Sequence, residues 1–174
     1  MEVLLLRERK VNKMAWVLVI LLSAAIFGIT YYVQSTKKKE LISEGKMIER
    51  KSSFYEESEL FTTSASYEDM LKAVSQQDFS DLKVSVTPNV EGKRIILFRS
   101  GYSWNAQLSD YGQKDGKNLL RFSFSAWRQR NGSPYNINSM NMMVTRIEKM
   151  VLSIDPSATV ENHKMQTKSK MKLL

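Results

Sequence analysis

The sequence lacks cysteine and contains a single histidine, His163. Without cysteine there is no disulfide framework, no thiol nucleophile and no cysteine-ligated metal or iron-sulfur site. One histidine near the C-terminus argues against Ser-His-Asp triads, histidine-based metal sites and histidine general bases. The seven glycines are scattered, so a glycine-rich phosphate loop and a nucleotide fingerprint are both missing. The sequence therefore predicts no bound cofactor or metal, and a protein that is not an enzyme.

The chain does contain one long apolar run, residues 14–33, in which no side chain is charged. At about 1.5 Å of rise per residue, a helix of this length crosses the roughly 30 Å hydrocarbon layer of a bilayer. The apolar residues continue past the small residues at 23–25, which favours a retained anchor over a cleaved signal peptide. Aromatic and basic side chains suited to the membrane interface flank the run: Lys13, Trp16, Tyr31, Tyr32, Lys37, Lys38 and Lys39.

The anchor divides the chain into five predicted parts. A short basic segment (1–13) precedes the transmembrane helix (14–33), and a juxtamembrane stalk (34–51) follows it. One α+β domain (52–161) comes next, and a basic tail (162–174) is predicted to be disordered.

The formal charge of +8 is unevenly distributed. Residues 52–160 hold twelve Lys and Arg and twelve Asp and Glu, so the predicted domain is neutral and the excess lies beside the anchor and in the tail. A nucleic-acid module would carry its basic residues on the folded face. The pattern therefore predicts the lipid bilayer as a partner and no nucleic acid.

Alternation of apolar and polar residues predicts the fold of the domain. Strands are expected at 82–87, 94–99, 102–109 and 120–127, with a loop at 110–118, and such short connections indicate an antiparallel β-meander. Residues 52–63 are expected to form an edge strand and residues 158–161 a last short strand. Helices are expected at 67–77, which begins with the capping-box pattern Ser66-x-x-Asp69, and at 137–153. The predicted fold class is α+β, with the meander packed against two helices.

Basic and aromatic side chains suggest a surface for partner binding on this sheet. They are expected at the outward side of the fourth meander strand and at the end of the second, where guanidinium groups and an indole can pair with or stack on a partner. The alternative is a solvated outer face without a partner. The predicted residues are Arg99, Arg121, Trp127, Arg128 and Arg130.

The acidic residues have a simple structural interpretation. Glu56, Glu57 and Glu59 are expected on a solvated strand face, and Glu68 and Asp69 in the first turn of a helix, where acids interact favourably with the helix dipole. A carboxylate-based hydrolase built on such pairs is the third functional hypothesis.

These features predict a single-pass cell-membrane protein with a cytoplasmic N-terminus and an extracytoplasmic domain. The leading hypothesis is a binding or assembly module with a protein partner in a membrane or envelope complex, which can include further copies of the chain. A sensory or regulatory module that binds a ligand is the alternative.

Overall fold

The computed structural model describes the backbone of residues 2–101 and 103–165, and side chains from residue 14 onward. The chain divides into two compact units, Met1–Glu44 and Gly45–Leu174. Each is described by itself.

The first unit is one helix, α1 (Glu2–Ser43). Its segment Met14–Ser43 meets the length and composition requirements of a membrane span. Trp16, Tyr31 and Tyr32 are exposed on it, whereas the side chain of Lys13 lies outside the described ones. The helix continues past the predicted end at residue 33 because the residues that follow are mostly good helix formers, and Gly45, with a φ of +67°, lies just beyond its end.

The second unit contains a six-stranded antiparallel sheet with the order β2-β3-β4-β5-β1-β8. Its predicted meander is confirmed. The strands of this sheet are β1 (Glu57–Thr63), β2 (Ser85–Thr87), β3 (Ile95–Ser100), β4 (Trp104–Lys114), β5 (Lys117–Trp127) and β8 (Thr159–Lys164). Two short strands, β6 (Gln129–Arg130) and β7 (Ser133–Pro134), form a separate hairpin.

Both predicted helices are present and share one hydrophobic core with the sheet. They are α2 (Tyr67–Gln76) and α3 (Ile137–Ile154). Met70 of α2 and Ile147 of α3 are completely buried in the same cluster as Phe98 and Phe122 of the sheet. The capping box of α2 is also confirmed, since the amide of Asp69 donates to Ser66 Oγ and the amide of Ser66 donates to Asp69 Oδ2. The α+β fold class is therefore confirmed.

The N-terminal strand differs from its prediction. β1 is not an edge strand, because β8 pairs along it from Thr159 to Lys164. β8 extends beyond the predicted end at residue 161, so residues 162–164 of the predicted tail are part of the sheet, and residues 166–174 lie outside the described ones. The second unit also begins earlier than residue 52, since Met47 of the predicted stalk is buried.

The predicted loop at 110–118 is wrong. β4 and β5 continue through it and meet at Asp115 and Gly116, whose φ angles are +52° and +76°. Asp-Gly in this left-handed conformation forms the tight two-residue turn that matches the twist of a hairpin. A register irregularity between Asp110 and Gln113 places one extra residue in β4 relative to β5.

Asp155 connects the end of α3 to β1. Its Oδ2 accepts hydrogen bonds from Thr63 Oγ1 (3.0 Å) and from the amide of Ser64 (2.7 Å), and its Oδ1 accepts from Ser157. These donors stabilise the carboxylate and hold the pKa of Asp155 well below its usual range. The network therefore ties the C-terminal end of α3 to the end of β1.

Candidate functional site

Both helices of the second unit, α2 and α3, pack on one face of its sheet and leave the other face open. Three small or polar side chains lie side by side across the centre of this open face, because Ser123 of β5 is the register partner of both Gln107 and Ser58. Ser58 and Ser123 are themselves almost inaccessible. These short side chains form the base of a depression, and longer side chains form its walls.

This arrangement makes a groove of about 740 Å³ on the open face. Its lining combines hydroxyl, amide, imidazole and guanidinium groups with the apolar residues Leu60, Phe124 and Met165. Such groups can orient a polar or acidic partner by hydrogen bonds and charge. Its lining includes Ser58, Leu60, Gln107, Tyr111, Arg121 and His163.

Arg121 is the predicted site residue that lies in this groove. Its guanidinium carbon lies 5.4 Å from the centre of the Tyr111 ring, a cation-π geometry that orients the side chain. Among the described residues, no carboxylate forms an ion pair with Arg121. Its charge is therefore available to an acidic group of a bound partner.

The other predicted arginines are exposed but not clustered with Arg121. Arg99 of β3 pairs with Asn105 of β4, whereas Arg121 pairs with Ser109. These two positions of β4 are four residues apart, so Arg99 lies away from Arg121 along the sheet. Arg128 and Arg130 lie beyond the end of β5, in the segment that forms the β6–β7 hairpin. The predicted surface is therefore dispersed over the sheet, and only Arg121 lines the groove.

The prediction for Trp127 is wrong, because its side chain is 1% exposed. The register shifts between Asn105 and Ala106: Ala106 pairs with Phe124, whereas Asn105 pairs with Ala126. Ser125 is the extra residue of this β-bulge, and an extra residue reverses which face the following side chains occupy. Trp127 consequently lies opposite the buried Trp104, in contact with the Tyr55 ring at 5.4 Å.

The interpretation of Glu59 as a solvated side chain is also wrong. Glu59 is 8% exposed and faces the helix side of β1. Its Oε1 lies 3.7 Å from Arg50 Nε, and Arg50 also forms an ion pair with Glu148 of α3. Burial, followed by the negative charge of Glu148, raises the pKa of Glu59 to about 8 despite the opposing effect of Arg50.

Arg50 holds the segment before β1 against α3. Its Nη1 donates to Asn141 Oδ1 (2.9 Å) and Thr145 Oγ1 (3.0 Å), and the Asn141 amide donates to the carbonyl of Ile48. These groups are buried among one another rather than arranged around a cavity. The cluster therefore has a positioning role in the fold, and sequence patterns missed it because its members are about 90 residues apart in the chain.

Two further acids of the hydrolase hypothesis, Glu68 and Asp69, have structural partners. Asp69 completes the capping box of α2, and hydrogen bonds from Ser66 lower its pKa. Glu68 forms an ion pair with Arg94 at 2.8 Å. Within residues 14–101 and 103–165, no group of three or more His, Asp or Glu side chains is placed to hold a metal ion.

Comparison with protein-family models, with curated proteins and with solved structures found no match to this chain.

Proposed function

We propose that the protein is a single-pass membrane-anchored binding or assembly module, whose folded unit lies outside the cytoplasm and binds another protein of a membrane or envelope complex. The observation that carries this proposal is the polar groove on the open sheet face. A fully formed sheet face that α2 and α3 leave uncovered is a surface on which a partner can bind.

The anchoring part of the proposal is supported by α1. The apolar side chains from Met14 to Val33 are exposed on this helix, and a bilayer is the environment in which such exposure is favourable. The folded unit is long and C-terminal to the anchor. Segments of this kind are translocated largely regardless of their charge, which supports the extracytoplasmic orientation.

The chemistry of the groove favours a partner with an acidic group beside hydrogen-bonding groups. Arg121 offers a guanidinium that can bind a carboxylate in a bidentate manner. Gln107 offers an amide, and Leu60 adds an apolar contact in the same row as Arg121. An extended acidic segment of a protein meets these requirements along its length.

A site-specific photocrosslinker tests this surface in the full-length chain in its native membrane. We expect a crosslinker at Gln107 to give an adduct with a defined partner, and one at the exposed Lys72 of α2 to give none. Arg121→Glu reverses the charge in the groove and should abolish the adduct. Equal adducts from both positions, or an adduct that survives Arg121→Glu, would contradict the proposal.

Protease accessibility in intact cells tests the orientation separately. We expect external protease to cleave within residues 45–165, because the folded unit lies outside the cytoplasm. Protection in intact cells, followed by cleavage after the membrane is permeabilised, would overturn this part of the proposal and leave the binding surface to be tested on the cytoplasmic side.

A sensory or regulatory module is the second candidate, and the volume of the groove is the observation that favours it. About 740 Å³ lies within the range of small-molecule sites. A small ligand that binds only the native state raises the unfolding temperature with its concentration. We expect no acidic small molecule to do so if the groove binds a protein, and a saturable rise that Arg121→Glu abolishes would favour the sensory alternative.

A further inference from the structure

β8 forms an edge of the described sheet. It is the last strand in the strand order, and all six of its residues, Thr159–Lys164, are exposed. An edge strand presents backbone N–H and C=O groups to which a further strand can be added.

The hydrogen bonds to β1 determine which backbone groups of β8 are available. The amide of Met165 donates to the carbonyl of Glu56 at 3.2 Å. Because backbone groups alternate in direction along an antiparallel strand, the odd-numbered residues of β8 face β1. Val160, Asn162 and Lys164 therefore direct their N–H and C=O groups toward the free edge.

We propose that β8 pairs with β8 of a second copy of this chain, antiparallel and about a two-fold axis at Asn162. In this register Asn162 faces Asn162 of the second copy, and Val160 faces its Lys164, so all outward backbone groups are paired. The non-hydrogen-bonded pairs place Glu161 opposite His163 of the second copy, twice by symmetry. No two acidic and no two basic side chains therefore face each other in this register.

Charge distinguishes this register from its neighbours. Backbone direction permits two-fold registers centred on a single residue of the strand, and those that pair three or more residues within Thr159–Lys164 are centred on Val160, Glu161, Asn162 or His163. Centring on Val160 or His163 pairs only three residues of each strand, and centring on Glu161 places two carboxylates directly opposite each other, which destabilises a strand pair. The register at Asn162 pairs five residues of each strand and places the carboxylate of Glu161 opposite an imidazole, and this complementarity favours a second copy as the occupant.

Pairing in this way extends the open face from six strands to twelve. His163 and Lys164 already line the groove on one side. The grooves of the two copies would therefore adjoin across the new pair of strands and form one continuous surface.

The absence of cysteine from the chain makes disulfide trapping selective. Opposed residues of a hydrogen-bonded antiparallel pair have Cα atoms about 5.5 Å apart, within the range that a disulfide can bridge. We expect full-length Asn162→Cys, in its native membrane and under mild oxidation, to form a disulfide-linked dimer.

Two matched variants distinguish the proposed register from a nonspecific approach of two β8 strands. Val160→Cys alone and Lys164→Cys alone should remain monomeric, because each residue lies four positions from its own copy, about 13 Å along the strand. Co-expression of these two variants should restore the crosslink. No dimer at Asn162→Cys, dimers from Val160→Cys alone, or an adduct with a different protein would overturn the proposal.

A proline variant provides a measurement that does not depend on cysteine chemistry. Asn162→Pro removes an N–H that faces the free edge, so the pairing of β8 with β1 is kept. We expect loss of the crosslink between the Val160→Cys and Lys164→Cys chains, with little change in the unfolding temperature. Glu161→Pro is the control that removes an N–H of the β1 pairing and should lower that temperature. A crosslink that persists in Asn162→Pro would contradict the proposed strand pair.

Discussion

The two faces of the central sheet differ although they are made by the same strands. On the covered face the aromatic rings are in contact, as for Phe122 and Phe124 at 5.4 Å and Trp104 and Phe124 at 5.6 Å. On the open face the neighbours of these residues are Ser123 and Gln107. Outside the bulge at Ser125 and the irregularity between Asp110 and Gln113, alternation thus assigns each residue to core packing or to the open face by its position in the strand.

β1 alternates in the same way, but the polarity of two of its residues is inverted. Glu59 lies on the covered face and Leu60 on the open face, the reverse of what their polarity predicts. Arg50 and Glu148 accommodate the buried carboxyl group, whereas Leu60 lines the groove. At these two positions the residue type matches its ion-pair partners or the groove, and does not match the ordinary rule that apolar residues face the core.

The largest expected effect is on the covered face. Phe122→Ala should reduce the free energy of unfolding by about 3–5 kcal/mol, because it removes a buried ring and leaves a cavity. Arg121→Ala, at the adjacent position of the same strand but on the open face, is the control and should change it by less than about 1 kcal/mol. Denaturant unfolding of the full-length chain in detergent, followed by tryptophan fluorescence, measures both. Similar losses in the two variants would contradict the assignment of the faces.

The inverted Glu59 should make stability depend on pH. Its pKa is about 8 in the folded chain against 4.5 as its ordinary value, so between these pH values the folded chain holds a proton that the unfolded chain has released. Unfolding is then favoured as pH rises, by up to roughly 1 kcal/mol per pH unit. Glu59→Gln has no such proton and should be more stable than the parent at pH 8, with a smaller difference near pH 5.

Unfolding measured from pH 5 to pH 8 tests this expectation. Glu57→Gln, at the start of the same strand, is the control and should retain the parent's dependence on pH. Parallel profiles for Glu59→Gln and the parent would show that the buried carboxyl group is not the source of the pH dependence.

The sequence predicted the features that depend on local pattern. The anchor helix, the meander and both domain helices follow from apolar periodicity, and the capping box at Ser66 and Asp69 follows from side chains three residues apart. Gln107 and Ser123 were also correctly placed among the outward positions. These features depend only on residues close together in the chain, so the sequence alone predicts them.

The errors occurred where a single residue or a distant partner changes the pattern. The extra residue Ser125 moved Trp127 from the outer face to the core, and no alternation pattern reveals a bulge without the partner strand. The pattern around Glu59 predicts a solvated side chain because its partner Arg50 lies outside the predicted domain. The turn at Asp115 and Gly116 did carry a local signal, since Asp-Gly is typical of a tight hairpin.

A smaller effect is expected at the start of α2, one of the helices that cover the sheet. Ser66→Ala removes the hydroxyl that accepts from the amide of Asp69, so the free energy of unfolding should fall by about 1 kcal/mol. Ser75→Ala, within the exposed side of the same helix, is the matched control and should have almost no effect. Equal changes in both variants would indicate that the cap does not stabilise the helix that covers this face.

The smallest effect on stability is expected at Leu60, an apolar residue on the open face that can be compared with Phe122 on the covered face. Leu60 is only half-buried beside Arg121, so Leu60→Ser should change the free energy of unfolding by less than about 1 kcal/mol, although it alters the groove. The same variant should weaken the crosslink from Gln107, because the apolar contact offered to a partner is lost. A loss of stability as large as that of Phe122→Ala would mean that Leu60 is packed like a core residue, and the open face would then not be a surface for binding.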